Sequence, residues 1–385
     1  MRKEIKTQIQ GYTELVQENE VLRKYATGKP DSRGQVARII NSLHPRTLRL
    51  IVSEVRQETA STTTLRLVSE NGCLPPFQAG QYINLFVEVG NVRTSRPYSI
   101  SSAPSQSGYY DITVRRVENG FVSGFLLDDV KPGDKFTSTA PAGHFYYNPL
   151  IHGNDLVFLA GGSGITPFLS MIRETTDLNL DRRVHLIYGS RTEADVIFLE
   201  ELTDRAAKHR NLIVSLVISE PSAGYSGPTG FISAELIKEL TKNIDEKTFY
   251  VCGPEAMYTF VTAELEKLNL PRRKVRFEVF GPPADITQDP GWPTHVPKDA
   301  VFKIGLKNGT SIKASTAEPL MNALERTGIV IPASCRSGDC SICRTKVLSG
   351  TVFQPKGVKV RKSDRKYGYI HPCMAYPLED LELLL

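Results

Sequence analysis

Apolar and polar positions change texture three times along the chain. Near the N-terminus Ile5, Ile9, Tyr12 and Val16 recur at helical spacing, predicting one helix face within an extension over 1–45 that lies on the protein or on a dimer partner. From Arg46 the pattern turns to short alternating segments: 48–52, 64–68, 82–87, 99–101, 111–115 and 135–137. Gly, Pro, Asn and Ser clusters separate them, which predicts an antiparallel β-barrel or sandwich over 46–150, with one helix over 121–127. At Asp155 strands over 156–160, 184–188, 212–218, 248–251 and 275–280 begin to alternate with helices over 167–175, 197–208, 233–240 and 255–268. That alternation predicts an α/β domain with a doubly wound parallel sheet over 151–283.

Prolines then cluster between Gly281 and Pro297 around the only tryptophan, Trp292, and mark a semi-rigid linker over 284–299. Beyond it, Asn308-Gly309 between apolar runs 301–306 and 310–314 is a hairpin signal, and a helix over 319–326 follows. These elements open a last domain over 300–385.

Composition narrows the class. At 385 residues, 40% hydrophobic and 23% charged, the chain is an ordinary globular protein and not a disordered one. No apolar run is long enough for a membrane span, and Met1-Arg2-Lys3-Glu4 leads into a polar stretch without the apolar centre of a secretion signal. A cytoplasmic location is the expectation. The net charge of +5 favours an acidic protein partner or a phosphate-bearing ligand, and no dense basic run with interleaved aromatics points to nucleic acid. Lys359-Val360-Arg361-Lys362 with Arg365-Lys366 reads as a solvated loop or as a docking patch beside a redox centre.

The cysteines carry the first chemistry. Cys73 and Cys252 are isolated, whereas Cys335, Cys340, Cys343 and Cys373 are spaced C-x4-C-x2-C-x29-C, the plant-type [2Fe–2S] spacing. A four-cysteine zinc site would show two C-x2–4-C pairs and not a lone distal fourth cysteine, and two disulfides would need an oxidising compartment. In the loop 334–343, Gly338 eases a tight turn that points backbone N–H groups inward. Residues 300–385 as a whole resemble a plant-type ferredoxin domain, an α+β β-grasp fold, which implies the four cysteines as cluster ligands.

Three further motifs resemble the ferredoxin–NADP reductase superfamily. Arg96-Pro97-Tyr98-Ser99 on a barrel strand offers an arginine for a flavin phosphate, a tyrosine for the isoalloxazine face and a hydroxyl near N5. Gly120-Phe121-Val122-Ser123 opens the barrel's helix as a phosphate cradle. The resemblance adds Thr113, Val114 and Arg115 to the flavin contacts, with Gly120, Val122 and Ser123 holding the second phosphate of FAD; FMN is the alternative. In Gly161-Gly162-Ser163-Gly164-Ile165-Thr166-Pro167, after the first α/β strand, the glycines admit a pyrophosphate, Thr166 caps the helix and Pro167 begins it. Cys252-Gly253-Pro254 resembles the family's nicotinamide-side turn, and Glu278 and Phe280 its strand end, with the aromatic covering the flavin. Ser99, Cys252 and Glu278 form the implied catalytic set. Ser190 and Arg191 could hold a 2′-phosphate, but Glu193 and Asp195 would repel one, so NADH is expected over NADPH.

The module order resembles the reductase components of oxygenases. It implies an NAD(P)H:acceptor oxidoreductase that passes electrons through flavin and a [2Fe–2S] cluster to a redox partner accepting them singly, such as an oxygenase or demethylase terminal component. The alternatives are an electron-transfer subunit of a larger complex and a reductase for another acceptor, such as a corrinoid protein.

Overall fold

The computed structural model describes residues 12–25, 40, 45 and 47–385. The chain divides into two units, 1–45 and 46–385. In the first, α1 (Tyr12–Tyr25) forms part of the expected extension helix. Ile5, Ile9 and the Tyr12 side chain lie outside the described residues, and Val16 is exposed.

The second unit begins with β1 (Leu48–Thr59), β2 (Thr62–Ser69), β3 (Tyr82–Val89), β4 (Val92–Ser99), β5 (Tyr110–Arg115), α2 (Phe121–Asp128) and β6 (Lys135–Ser138). The strands pair antiparallel in the order β4-β3-β6-β1-β2-β5, and Ile100, just past β4, bridges Ile112 in β5. The two edges thus meet, which hides open ladder groups. Leu50, Val52, Leu65, Ile83, Leu85 and Ile112 alternate inward and are buried. Each stabilises the barrel by about 1.5–3 kcal/mol relative to exposure. The strand expected over 99–101 instead ends at Ser99 and reaches back to Val92.

A parallel sheet follows: β7 (Asp155–Gly161), α3 (Ile165–Asp177), β8 (Arg183–Ser190), α4 (Leu199–Lys208), β9 (Leu212–Ile218), α5 (Ala234–Leu240), β10 (Thr248–Cys252), α6 (Glu255–Lys267) and β11 (Val275–Phe277). Its order is β11-β10-β7-β8-β9. The winding reverses between β7 and β10, so a crevice opens where Gly161 and Cys252 end their strands. Two expectations need correction. Helix α3 starts at Ile165, after a 3-10 turn over Gly162–Gly164; Gly164 is its cap residue, and the Thr166 hydroxyl donates to Ser163 O at 3.0 Å. Pro167 is therefore inside the first turn. Strand β11 stops at Phe277, although Glu278 N still donates to Val251 O.

The last sheet contains β12 (Val301–Leu306), β13 (Ser311–Ser315), α7 (Leu320–Arg326), β14 (Thr345–Ser349), β15 (Val352–Phe353), α8 (Lys362–Lys366), β16 (Tyr369–Ile370), β17 (Tyr376–Pro377) and β18 (Leu381–Leu384). The order is β13-β12-β18-β14-β16, with β12 and β18 parallel, and α7 packs Leu320, Met321 and Leu324 onto Ile304 and Leu383. This is the β-grasp arrangement. The proline-rich segment packs on it: the Trp292 ring meets Phe353 edge-on with centroids 5.1 Å apart.

Side chains knit the three sheets together. Ser170 Oγ and Arg173 Nη1 on α3 donate to Ser102 O and Ser101 O of the barrel at 2.7 and 2.8 Å. Asn84 Nδ2 on β3 donates to Ala333 O, 2.9 Å away beside the cysteine loop.

Candidate functional site

A cleft of about 910 Å³ lies where the three sheets meet. Arg96, Pro97, Tyr98, Ser99, Thr113 and Arg115 line it from the barrel strands, and Gly120, Val122 and Ser123 from the start of α2. Gly161, Gly162, Gly164 and Thr166 face it after β7, Cys252, Gly253 and Pro254 after β10, and Phe280 after β11. The volume falls within the range of cofactor sites.

Besides the four cysteines, five of the predicted residues lie off the cleft. Val114 is in the barrel core, and Pro167 is buried in α3. Ser190 and Arg191 sit at the end of β8, beside the glycine loop through the register pair Gly161–Gly189. Glu278 is half-buried between Tyr258 and the cysteine loop; burial, with Asp339 and Cys335 repelling, pushes its carboxyl up to about 8.

On the barrel side, Arg96 Nη1 donates to Thr94 Oγ1 and Ser95 O, both at 2.7 Å. Among the described residues it makes no carboxylate ion pair, and burial together with the nearby Arg336 guanidinium lowers it to about 10. A desolvated cation without a counter-ion suits a phosphate. Ser99 Oγ is buried without a hydrogen-bond partner among the described residues, as a hydroxyl awaiting a ring nitrogen would be. At α2, Ser123 Oγ accepts from Val117 N at 3.1 Å and donates to Gly120 O at 3.2 Å, so it builds the turn that leaves the helix N-terminus open. The residues present fit a flavin with phosphates.

On the nucleotide side the glycines are required by packing as well. A Cβ on Gly164 would collide with the Cys252 carbonyl, and Gly162 holds a positive φ of 50° that disfavours any side chain. The Cys252 thiol is buried, and desolvation raises its pKa, so it stays neutral. Tyr258, which sequence reasoning missed, donates to Glu278 O and accepts from Gly253 N, holding the turn to the strand end.

The four cysteines fall into two pairs. Cys335 Sγ accepts from the N–H groups of Asp339 and Cys340, both at 3.3 Å, and its thiol is held low by the Cys340 side chain first and then, against burial, by the backbone groups of Ser337 and Cys340. Cys343 Sγ lies 3.5 Å from Cys373 Sγ. Two thiolate pairs match a cluster with two irons; among the described residues no three such groups close on a single metal ion. Arg336, Gly338 and Ser341 adopt positive φ, which turns the loop's N–H groups inward. His371 Nδ1 lies 3.0 Å from Gly338 O and pins the turn.

Asn322, Arg336 and Met374 of this domain also line the cleft, a contribution missed from sequence. Arg336 stands directly after Cys335, the one available hint; Asn322 gives none.

Known proteins share this organisation. The oxidoreductase FAD-binding domain model matches residues 47–147, the oxidoreductase NAD-binding domain model 158–263, and the 2Fe-2S iron-sulfur cluster binding domain model 306–378. The NADH oxidoreductase HCR of Escherichia coli (strain K12) is 31% identical over 338 residues, 87% of this chain and 97% of that protein. The glycine betaine monooxygenase reductase subunit of Pseudomonas aeruginosa (strain UCBPP-PA14) is 28% identical over 343 residues, covering 85% and 92% of the two chains. Phthalate dioxygenase reductase, a solved structure, superposes with a TM-score of 0.65 at 27% identity, over 88% of this chain and 98% of its own.

Proposed function

Because the chain belongs to the ferredoxin–NADP reductase superfamily, as a flavoprotein reductase fused to a plant-type [2Fe–2S] domain, we propose that it is the reductase component of an oxygenase or demethylase system. Its cofactors are FAD, NADH and a [2Fe–2S] cluster. When bound, these groups convert a two-electron donation from NADH into single electrons, so one NADH yields NAD⁺, a proton and two acceptors each reduced by one electron.

The residues divide the work. Arg96 holds the FAD phosphate, Tyr98 and Phe280 cover its ring, Ser99 donates to it, and α2 takes the second phosphate at Gly120–Ser123. Thr113 and Arg115 frame the ring from β5, and Val114 between them packs into the barrel core behind. The loop 161–167 and the turn 252–254 seat the pyrophosphate and nicotinamide of NADH, with Ser190 and Arg191 at its ribose. Cys252 borders the reacting face, where its buried, neutral thiol keeps water away, and Glu278 backs the 252–254 turn through Tyr258. Cys335, Cys340, Cys343 and Cys373 hold the cluster. The working division is flavin at 46–150, nucleotide at 151–283, linker at 284–299 and cluster at 300–385.

The reaction belongs in the cytoplasm, where NADH is available and the cluster thiols stay reduced. The unpaired Arg96 and orphaned Ser99, facing one cleft with Arg336 of the cysteine loop, carry this reading. An anaerobic NADH titration with flavin and iron analysis tests it. Bleaching of flavin followed by cluster reduction is expected. A colourless protein, or thiols loaded with zinc, overturns it.

A further inference from the structure

We propose that residues 337–368 form the docking surface for the electron acceptor and that the acceptor meets it with a carboxylate-rich face. This rests on the reductase reading above. The segment carries eight Lys and Arg against two Asp, a surplus of six that exceeds the whole chain's +5. The rest of the protein is therefore close to neutral, and its basic character is concentrated here.

The charge lies against the cysteine loop. Lys359 N donates to Gly338 O at 3.0 Å, and Lys359 Nζ pairs with Asp339 at 2.6 Å. Arg344, directly after Cys343, pairs with Asp364 of α8 at 3.1 Å. Those contacts use both acids of the segment. Lys356, Arg361, Lys362, Arg365 and Lys366 remain exposed, and none makes an ion pair among the described residues. Within this cationic surround, Ile342 stands between Cys340 and Cys343 with 51% of its surface exposed.

An apolar point next to the cluster ligands, ringed by unpaired cations, suits a brief encounter with an acidic protein. The cations steer and orient the partner while the small apolar contact lets it leave. A solvated loop would not need five unpaired cations gathered beside a redox centre. The competing role, stabilising the anionic cluster itself, is separable by experiment.

The test uses the full-length holoprotein with native cytochrome c, which is rich in lysine, and succinylated cytochrome c, whose lysines carry carboxylates. Each takes one electron per molecule from NADH-reduced protein. At low salt the succinylated form should be reduced about tenfold faster or more, with a rate that falls as salt rises. Binding to immobilised succinylated cytochrome c should weaken in parallel. The variant Arg361→Glu/Lys362→Glu/Arg365→Glu/Lys366→Glu should invert the preference while NADH still bleaches the flavin at the original rate. Should that variant fail to fold, Lys362→Gln/Lys366→Gln should reduce the preference. Equal, salt-insensitive rates with the two cytochromes overturn the proposal. So does a charge reversal that slows both alike while shifting the cluster potential, which would make the patch a tuning element. If NADH does not reduce the flavin at all, the reductase reading itself has failed.

Discussion

The Thr94 hydroxyl on β4 donates to Glu325 Oε2 on α7 at 2.8 Å, joining the flavin-side strand to the iron–sulfur domain through two buried side chains. Glu325 in turn receives both Arg336 amino groups at 2.7 and 2.9 Å, and Thr94 accepts from Arg96. The Arg96–Thr94–Glu325–Arg336 relay connects the proposed phosphate site to the residue after Cys335. Removing Glu325 leaves Arg336 buried and unpaired beside Arg96, which should cost about 3–5 kcal/mol. Glu325→Ala should lower the melting temperature strongly. Thr94→Val should unfold less readily than that but still separate the two reduction phases. Stopped-flow should show normal flavin reduction followed by slower cluster reduction, and unchanged cluster kinetics would refute the relay.

Among the described residues Arg96 has no carboxylate ion-pair partner, so its favourable interaction is reserved for a bound anion. Arg96→Ala should weaken flavin retention by about 1.5–3 kcal/mol, the net value of a charge-assisted hydrogen bond. Flavin content after dialysis checks this, with Arg96→Lys recovering part of the loss. Full flavin occupancy in the alanine variant would remove Arg96 from the site.

Much of this architecture is legible from local pattern. Alternation in the barrel, the strand–helix rhythm and the cysteine spacing each depend on near neighbours in sequence. What the pattern hides is contact across domains. Val92–Ser99 is a strand although Arg93, Thr94, Ser95 and Arg96 give no apolar alternation, because Thr94 is buried by Glu325 and Ser95 by Asn84. Glu325 and Arg336 read as surface charges, since nothing local announces that they bury one another. Thr166 resembles a cap, yet after the 3-10 turn the helix is capped two residues earlier, at Gly164. Glu278–Phe280 leave the sheet because β10 ends at Cys252, where the cleft opens.

Cys340→Ser should abolish cluster absorbance and one-electron transfer to cytochrome c while sparing flavin reduction by NADH. Cys340 pairs with Cys335 on the half of the loop organised by the N–H groups of residues 339 and 340, so the variant leaves that pair with one thiolate and a cluster one ligand short. Cytochrome c reduction persisting in this variant would contradict the proposed route.

Nucleotide choice should rest on Arg191. Its Nε lies 3.7 Å from Asp195 and 4.0 Å from Glu220, so a 2′-phosphate must displace carboxylates to reach it. Asp195→Asn with Glu220→Gln should raise kcat/KM for NADPH about threefold to fivefold, the scale of exposed ion pairs, and leave NADH nearly unchanged. Equal loss with both nucleotides would mean that the pair only shapes the loop.

His152 supplies a pH dependence of stability independent of the cofactors. Its Nδ1 accepts from Asn148 N at 2.8 Å and from the Tyr250 hydroxyl at 2.6 Å, so the ring is neutral with its proton on the buried, unpartnered Nε2. Burial, with Arg276 adding repulsion, lowers the group to about 4 from its ordinary 6.5. Between these values the unfolded chain binds a proton that the folded one refuses. The stabilisation is therefore whole above about pH 6.5 and is lost as pH falls toward 4, at up to about 1.4 kcal/mol per pH unit. From pH 7 to pH 5 the wild type should lose about 2 kcal/mol more than His152→Gln in urea unfolding. Parallel pH profiles for the two proteins would show that the ring is protonated in the fold and that Tyr250 holds it by some other arrangement.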